Sequence, residues 1–385
     1  MLKLTISKGI IKPYNILIIT NLLSFFAWLF PGFGFLRKGF KESASIFTIG
    51  GISYLISLIF IITCSFLAYH LTRKLFFNKK NNYNSSLKID SKVYFFSIFI
   101  SLIGIISVIN SLLKNNDLNV IYSYLLSGKA NEIKYILYEN YSIGLVSLRY
   151  CAIISASFFI YRRLIGIKKN SFDLISLLLL LLVTLISSRL SLIASLVGAF
   201  YMYISVINNK KFTSWKIISA FFITFIVLSI LNWSRNSGFY ENLGLNFWSS
   251  GLSEIITYLG TPVQGAITAF SHVDNIKDID TFYFLSTIEL VLNTNSSFHV
   301  YLAAYGYIGI IYLALLISFS SILICFFEKY KNGKYIYVNI PLVYSTAEFW
   351  RLPLFTEGII ITLVICALSL AFISKINLGT IFRIK

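Results

Sequence analysis

Apolar residues along this chain come in long, nearly unbroken blocks, not at the three- and four-residue spacing of a helix with one buried face. A block of about 20 such residues, coiled as an α-helix, spans a hydrocarbon layer about 30 Å thick. Blocks of this kind cover residues 14–35, 46–70, 93–113, 143–160, 172–187, 190–207, 215–232, 298–326, 336–349 and 356–373. The stretch from Phe172 to Ile207 is too long for one crossing, so it predicts a helical hairpin with Arg189 marking the turn. The pattern predicts an all-α fold, a polytopic membrane bundle of about ten transmembrane helices in a single domain over residues 1–385. A large outer loop, residues 232–297, separates the seventh span from the eighth and is expected to carry short interfacial helices.

Composition agrees with this reading. Of the 385 residues, 57% are hydrophobic and only 12% charged, a balance foreign to water-soluble domains. Lys3, Lys8 and Lys12 precede the first block, but no small-residue cleavage site follows it, so the first span is read as retained. Cys64, Cys151, Cys325 and Cys366 each sit inside an apolar block at no ligand-like spacing, which indicates neither a disulfide framework nor a metal site.

Orientation follows from the loops. With the N-terminus in the cytoplasm, 22 of the 33 basic residues fall on the inner side, accompanied only by the acids Asp90, Asp173 and Glu328. Both termini are then cytoplasmic. Arg37, Lys38 and Lys41 run against the rule. The net charge of +18 needs no nucleic acid to explain it, because scattered inner-loop cations lie against anionic headgroups, each gaining about 1 kcal/mol.

Two long segments are expected outside. In "DLNVIYSYLLSG", Asp117 caps a short helix with Ile121, Tyr122 and Leu125 on one apolar face. In "YLGTPVQGAITAF", Thr261 reads as an N-cap, Pro262 as the first helical residue and Gln264 as the capping-box partner, predicting a helix that begins there. Trp248, Phe247, Tyr258 and Phe270 supply aromatic rings that suit either a headgroup belt or stacked sugars.

The outer-side cations near the membrane are few: Arg149, Arg189, Arg235 and Arg351. All four are expected in one shallow layer. Arginine suits a phosphate ligand there, since its planar fork makes paired charge-assisted hydrogen bonds and never deprotonates. The bland alternative is snorkelling, or pairing with an acid such as Glu348 or Glu357. Asn295 and His299 share a helical face at the start of the eighth span, where His299 is either a proton acceptor or a histidine hydrogen-bonded at an interface. Gly306 and Gly309 read as close-packing positions. The chain has no HExxH, Walker loop, GxSxG or paired His and Cys ligands, so metal, nucleotide and serine hydrolysis lack their motifs.

Four stretches carry a resemblance: "SSRLSLIASLVGAFYMY", "NWSRNSG", "YLGTPVQGAI" and "NTNSSFHVYLAAYGYIG". Together they resemble the Wzy-type oligosaccharide repeat-unit polymerases of the O-antigen ligase superfamily. The resemblance covers Phe172 to Phe326, and the rest of the chain matches by hydropathy alone. It implies a metal-independent glycosyltransferase that polymerises repeat units carried on undecaprenyl diphosphate into an O-antigen or capsule polysaccharide. The site would face outward from the plasma membrane. Undecaprenyl-diphosphate-linked oligosaccharide would be both donor and acceptor, no cofactor would be required, and a flippase and a chain-length regulator would be companions. It implies Arg189 and Arg235 as the functional arginines, with Tyr258 and Asn295 beside them. His299 joins the catalytic candidates from its own position, and Arg149, Gln264 and Arg351 join the substrate-binding ones. Where many relatives carry an Asp before the "FG" pair of the eighth span, this chain reads "AAYGYIG", so no acid is carried over. The competing readings are a glycan ligase of the same superfamily, a lipid-linked sugar transporter or flippase, and a structural membrane subunit.

Overall fold

The computed structural model describes residues 3–5, 8–29, 45–77, 89–115, 144–168, 170–186, 190–206, 211–213, 244–276 and 296–375, with short pieces between 119 and 137 and between 222 and 242. Helices dominate, and most coincide with the apolar blocks. They are α1 (Pro13–Leu29), α2 (Ile49–Phe76), α3 (Ser91–Asn115), α4 (Cys151–Leu164, led in by a 3-10 stretch Leu145–Tyr150), α5 (Ser171–Ile186) and α6 (Leu190–Val206). Further along come α7 (Phe247–Ser271), α8 (Ser297–Tyr305), α9 (Ile308–Lys329), α10 (Ile340–Ala347) and α11 (Gly358–Ile373). Among the described residues, α2, α3, α9 and Leu145–Leu164 are long and apolar enough to cross a membrane. The apolar helices α1, α5, α6 and α11 have 16 or 17 residues each, which is about 24–26 Å of rise.

The helices are inside out relative to a water-soluble bundle. On α2, Ser57, Ser65, Tyr69 and Thr72 are buried while Ile52, Ile56, Ile59, Phe60, Leu67 and Leu71 are exposed. Hydroxyls hidden between helices and bulky aliphatics turned outward suit hydrocarbon as the surrounding medium. The buried hydroxyls bond across or along helices, as Ser65 does with Ser321 at 2.8 Å.

Several expectations need revision. The apolar stretch from Phe172 to Ile207 is divided as expected into two helices, α5 ending at Ile186 and α6 beginning at Leu190, while Arg189 itself lies outside the described residues. The block 298–326 is broken into α8 and α9. Residues 336–349 form a 3-10 turn and the eight-residue α10, a rise of about 20 Å. Most of 215–232 lies outside the described residues. The helix expected to start at Thr261 starts at Phe247 instead, capped by Asn246, whose side chain and that of Ser249 form a reciprocal capping box. Pro262 is therefore interior to α7, and the Thr-Pro pair imitated a helix start. A small strand pair was not foreseen: β1 (Lys3–Thr5) runs antiparallel to β2 (Lys211–Thr213).

Within the chain that hydropathy reads as one domain, the backbone gathers into two compact units. The first comprises Met1–Lys80, Lys210–Phe326 and Ser345–Phe355, and the second Asn81–Asn209, Phe327–Tyr344 and Thr356–Lys385. In the first unit α1 and α2 are antiparallel, with Tyr14 against His70 at one end and Asn21 within 3.5 Å of the Tyr54 hydroxyl toward the other. The strand pair, Lys12 and Arg73 mark the former end. A core of Leu17, Leu58, Ile61, Ile267, Phe298 and Ile317 fills the middle. In the second unit α3 packs on the Leu145–Tyr150 stretch, and Ile121, Ile133 and Leu137 close over Val108 and Leu112.

Candidate functional site

The end of the first unit opposite its strand pair collects most of the described candidates. Chain geometry brings them there. α9 carries the backbone about 33 Å away from α8, and the return is fixed where Ser297 Oγ donates to the Phe349 carbonyl. The Phe298 ring packs at 5.5 Å from both Tyr54 and Phe270 and at 5.9 Å from Phe349. This aromatic knot locks α2, α7, α8 and the turn after α10 together. Ser296 caps α8 by accepting from the Phe298 amide at 3.2 Å. His299, one residue on from Phe298, is 4% exposed.

Arg351 sits two residues beyond Phe349 in the turn before α11. It is 3% exposed, its Nε donates to Glu348 Oε2 at 3.0 Å, and its guanidinium lies 5.1 Å from the Tyr258 ring centroid. Two side chains thus hold one cation, a carboxylate at its edge and a ring at its face, and the turn after α10 supplies both Glu348 and Arg351. The spacing i, i+3 makes that pairing local. Gln264 lies further along the same helix as Tyr258, where its Oε1 accepts from Trp28 Nε1 at 3.0 Å. Pro262 lacks the amide that would complete the helix hydrogen bond to the Tyr258 carbonyl, and next to it the Leu259 carbonyl accepts from Ser24 Oγ. α1 is thereby stapled to α7 on either side of the proline.

The structure therefore brings Tyr258, Gln264, His299 and Arg351 to one end of one unit. Arg149 belongs to the second unit. It is 1% exposed, donates from Nη1 to the Val146 carbonyl at 2.7 Å and from Nη2 to the Tyr150 hydroxyl at 2.9 Å, and lies over the Tyr150 ring. Ile186, the last described residue before Arg189, packs in the cluster that contains Val146. Arg189, Arg235 and Asn295 lie outside the described residues.

Sequence reasoning did not name Trp28, Ser24 or Tyr54, while Glu348 holds Arg351 in the pairing that stood as the bland alternative. Glu348 had a signal, the i, i+3 spacing to Arg351 in "EFWR". Trp28, Ser24 and Tyr54 had none, because their partners are more than 30 residues away or across helices. A second charged knot lies elsewhere in the second unit. Asp173 there takes Arg163 at 2.6 Å, Arg162 at 3.4 Å and the Tyr94 hydroxyl at 3.1 Å. Comparison of the chain with family models, curated proteins and solved structures gave no match.

Proposed function

We propose that this chain is a membrane glycosyltransferase that polymerises undecaprenyl-diphosphate-linked oligosaccharide repeat units on the outer face of the plasma membrane. The observation that carries the reading is Arg351. A guanidinium withdrawn from water, fixed at its edge by Glu348 and at its face by Tyr258, is a pre-set positive group at one end of an inside-out bundle. Charge held rigidly in a poorly solvated place acts on a developing anion without reorganising. The β1–β2 pair agrees with the six spans counted between its strands, since pairing residues 3–5 with 211–213 needs an even number of crossings.

In the proposed reaction, a hydroxyl of the acceptor glycan attacks the anomeric carbon of the donor. The new glycosidic C–O bond forms as the bond from that carbon to the phosphate oxygen breaks, and undecaprenyl diphosphate leaves with the bonding electrons. The hydroxyl proton passes to a base, for which His299, next in sequence to the Phe298 ring that packs on Phe349, is a candidate. Arg189 and Arg235 would hold the diphosphate, with Arg351 and Tyr258 ordering the sugars next to it. The leaving group is built into the donor, so no nucleotide enters the balance.

The test is polymerisation by the purified chain of lipid-linked repeat units in detergent. Ladders of two or more repeats are expected, with yield falling at least tenfold in Arg189→Lys, Arg235→Lys and Arg351→Lys. A wild-type chain that leaves the units single, or three variants with full yield, would overturn the reading. In cells, loss of the chain should leave single repeats on the surface glycan; long unattached chains would indicate the ligase instead.

A further inference from the structure

The chain turns sharply between α8 and α9. Gly306 follows α8 with a φ of 58°, a left-handed conformation that glycine adopts freely. Close by, a Cβ placed on Gly309 would fall 2.3 Å from the Tyr301 carbonyl oxygen. Residues eight apart in a continuous helix are separated by about 12 Å, so α8 folds back against the start of α9. Tyrosines gather around this elbow. The rings of Tyr301 and Tyr305 are 6.0 Å apart and those of Tyr305 and Tyr312 4.9 Å, and Tyr305, Tyr307 and Tyr312 are 54%, 57% and 46% exposed.

Beyond the elbow the character of the surface changes. Ile308, Ile311, Leu315, Phe319 and Ile322 are exposed along one side of α9. That helix is 22 residues long, about 33 Å, and ends in Lys329, followed by Tyr330 and Lys331. One side of this helix therefore carries exposed tyrosines near the elbow, an apolar stripe of about 21 Å from Ile308 to Ile322, and lysines around a tyrosine at the far end. Tyrosine rings favour the boundary where the ring is in an apolar layer and the hydroxyl meets polar groups. An elbow also interrupts the ladder of backbone hydrogen bonds at the end of α8, which lipid-exposed backbone tolerates at the headgroups and not in hydrocarbon.

We propose that Tyr305, Tyr307 and Tyr312 form a docking surface for the phospholipid headgroup layer, so that the bilayer boundary crosses the elbow at Gly306. α9 alone then spans the hydrocarbon on this face. α8, with His299 and Ser297, lies in the interfacial layer.

Depth measurement tests this without reference to activity, so its outcome and that of the polymerisation assay are separable. The full-length chain carrying Cys64→Ala, the three other native thiols being buried, would be given Tyr305→Cys, Tyr312→Cys or Phe319→Cys and a nitroxide label. The parent without an added cysteine sets background labelling. In vesicles of phosphatidylethanolamine and phosphatidylglycerol, labels at 305 and 312 should relax with a water-soluble nickel complex. The label at 319, about 10 Å further along the helix, should respond to oxygen alone. Labels at 305 and 312 as deep as 319 would overturn the proposal. So would labels shielded from both reagents and broadened by one another between copies, which would make a second copy the occupant. Should Tyr305→Cys fail to fold, Tyr307→Cys reads the same depth.

Discussion

Each unit buries an arginine almost completely, and the described partners of the two differ in kind. Arg351 is matched by a carboxylate, Glu348, and backed by the Tyr258 ring. Arg149 is held by a backbone carbonyl and a tyrosine hydroxyl from its own turn, Val146 and Tyr150. The first arrangement makes each partner depend on the other. The described hydrogen bonds of the second come from one short stretch of chain. Burial alone does not reveal the role of a charge in such a protein; the nature of its partners does.

This contrast can be broken experimentally. Arg351→Ala strands Glu348 in a buried place and should lower stability by about 3–5 kcal/mol, read as a fall in thermal unfolding temperature in detergent. Adding Glu348→Leu to that variant should restore most of the loss. Gly104→Ala probes the stretch that holds Arg149, because the new methyl would clash with the Arg149 amide nitrogen, and should cost about 2–3 kcal/mol by the same measurement. Arg149→Met should cost less than Arg351→Ala, about 1–3 kcal/mol, since the described acceptors it strands, the Val146 carbonyl and the Tyr150 hydroxyl, are uncharged. An Arg149→Met variant as damaged as Arg351→Ala would erase the distinction. The smallest effect is expected at Gln264→Leu, where the loss of the Trp28 hydrogen bond should cost about 1 kcal/mol and shift indole fluorescence.

Much of the helical skeleton was legible, because twenty apolar residues in a row admit few conformations. The stop at Ile186 and restart at Leu190 were legible for the same reason: a 36-residue apolar run cannot cross once. α7 was misread at its start. Its Ser, Gly, Thr and Gln content weakens the apolar signal, and Thr261-Pro262-Val263-Gln264 matches a helix opening closely enough to mask the true cap at Asn246. Gly309 was correctly read as a close-approach position, whereas Gly306 proved to be a chain reversal, a distinction that rests on a backbone angle and not on residue type. Three-residue strands such as β1 and β2 have no periodicity long enough to read. The Glu348 and Arg351 pair was visible in spacing, but its Tyr258 neighbour depends on how α7 meets a turn more than 90 residues later.

The pairing of residues 3–5 with 211–213 bears on how the molecule is made. At a translation rate of 5–20 residues per second, the second strand leaves the ribosome roughly 10–40 seconds after the first. Throughout that interval the first strand is an unmatched edge, and α1 and α2 wait for α7, while the stretch from 81 to 209 in the other unit is already synthesised. Nascent chains halted before residue 211 should therefore be the form most exposed to quality-control proteases.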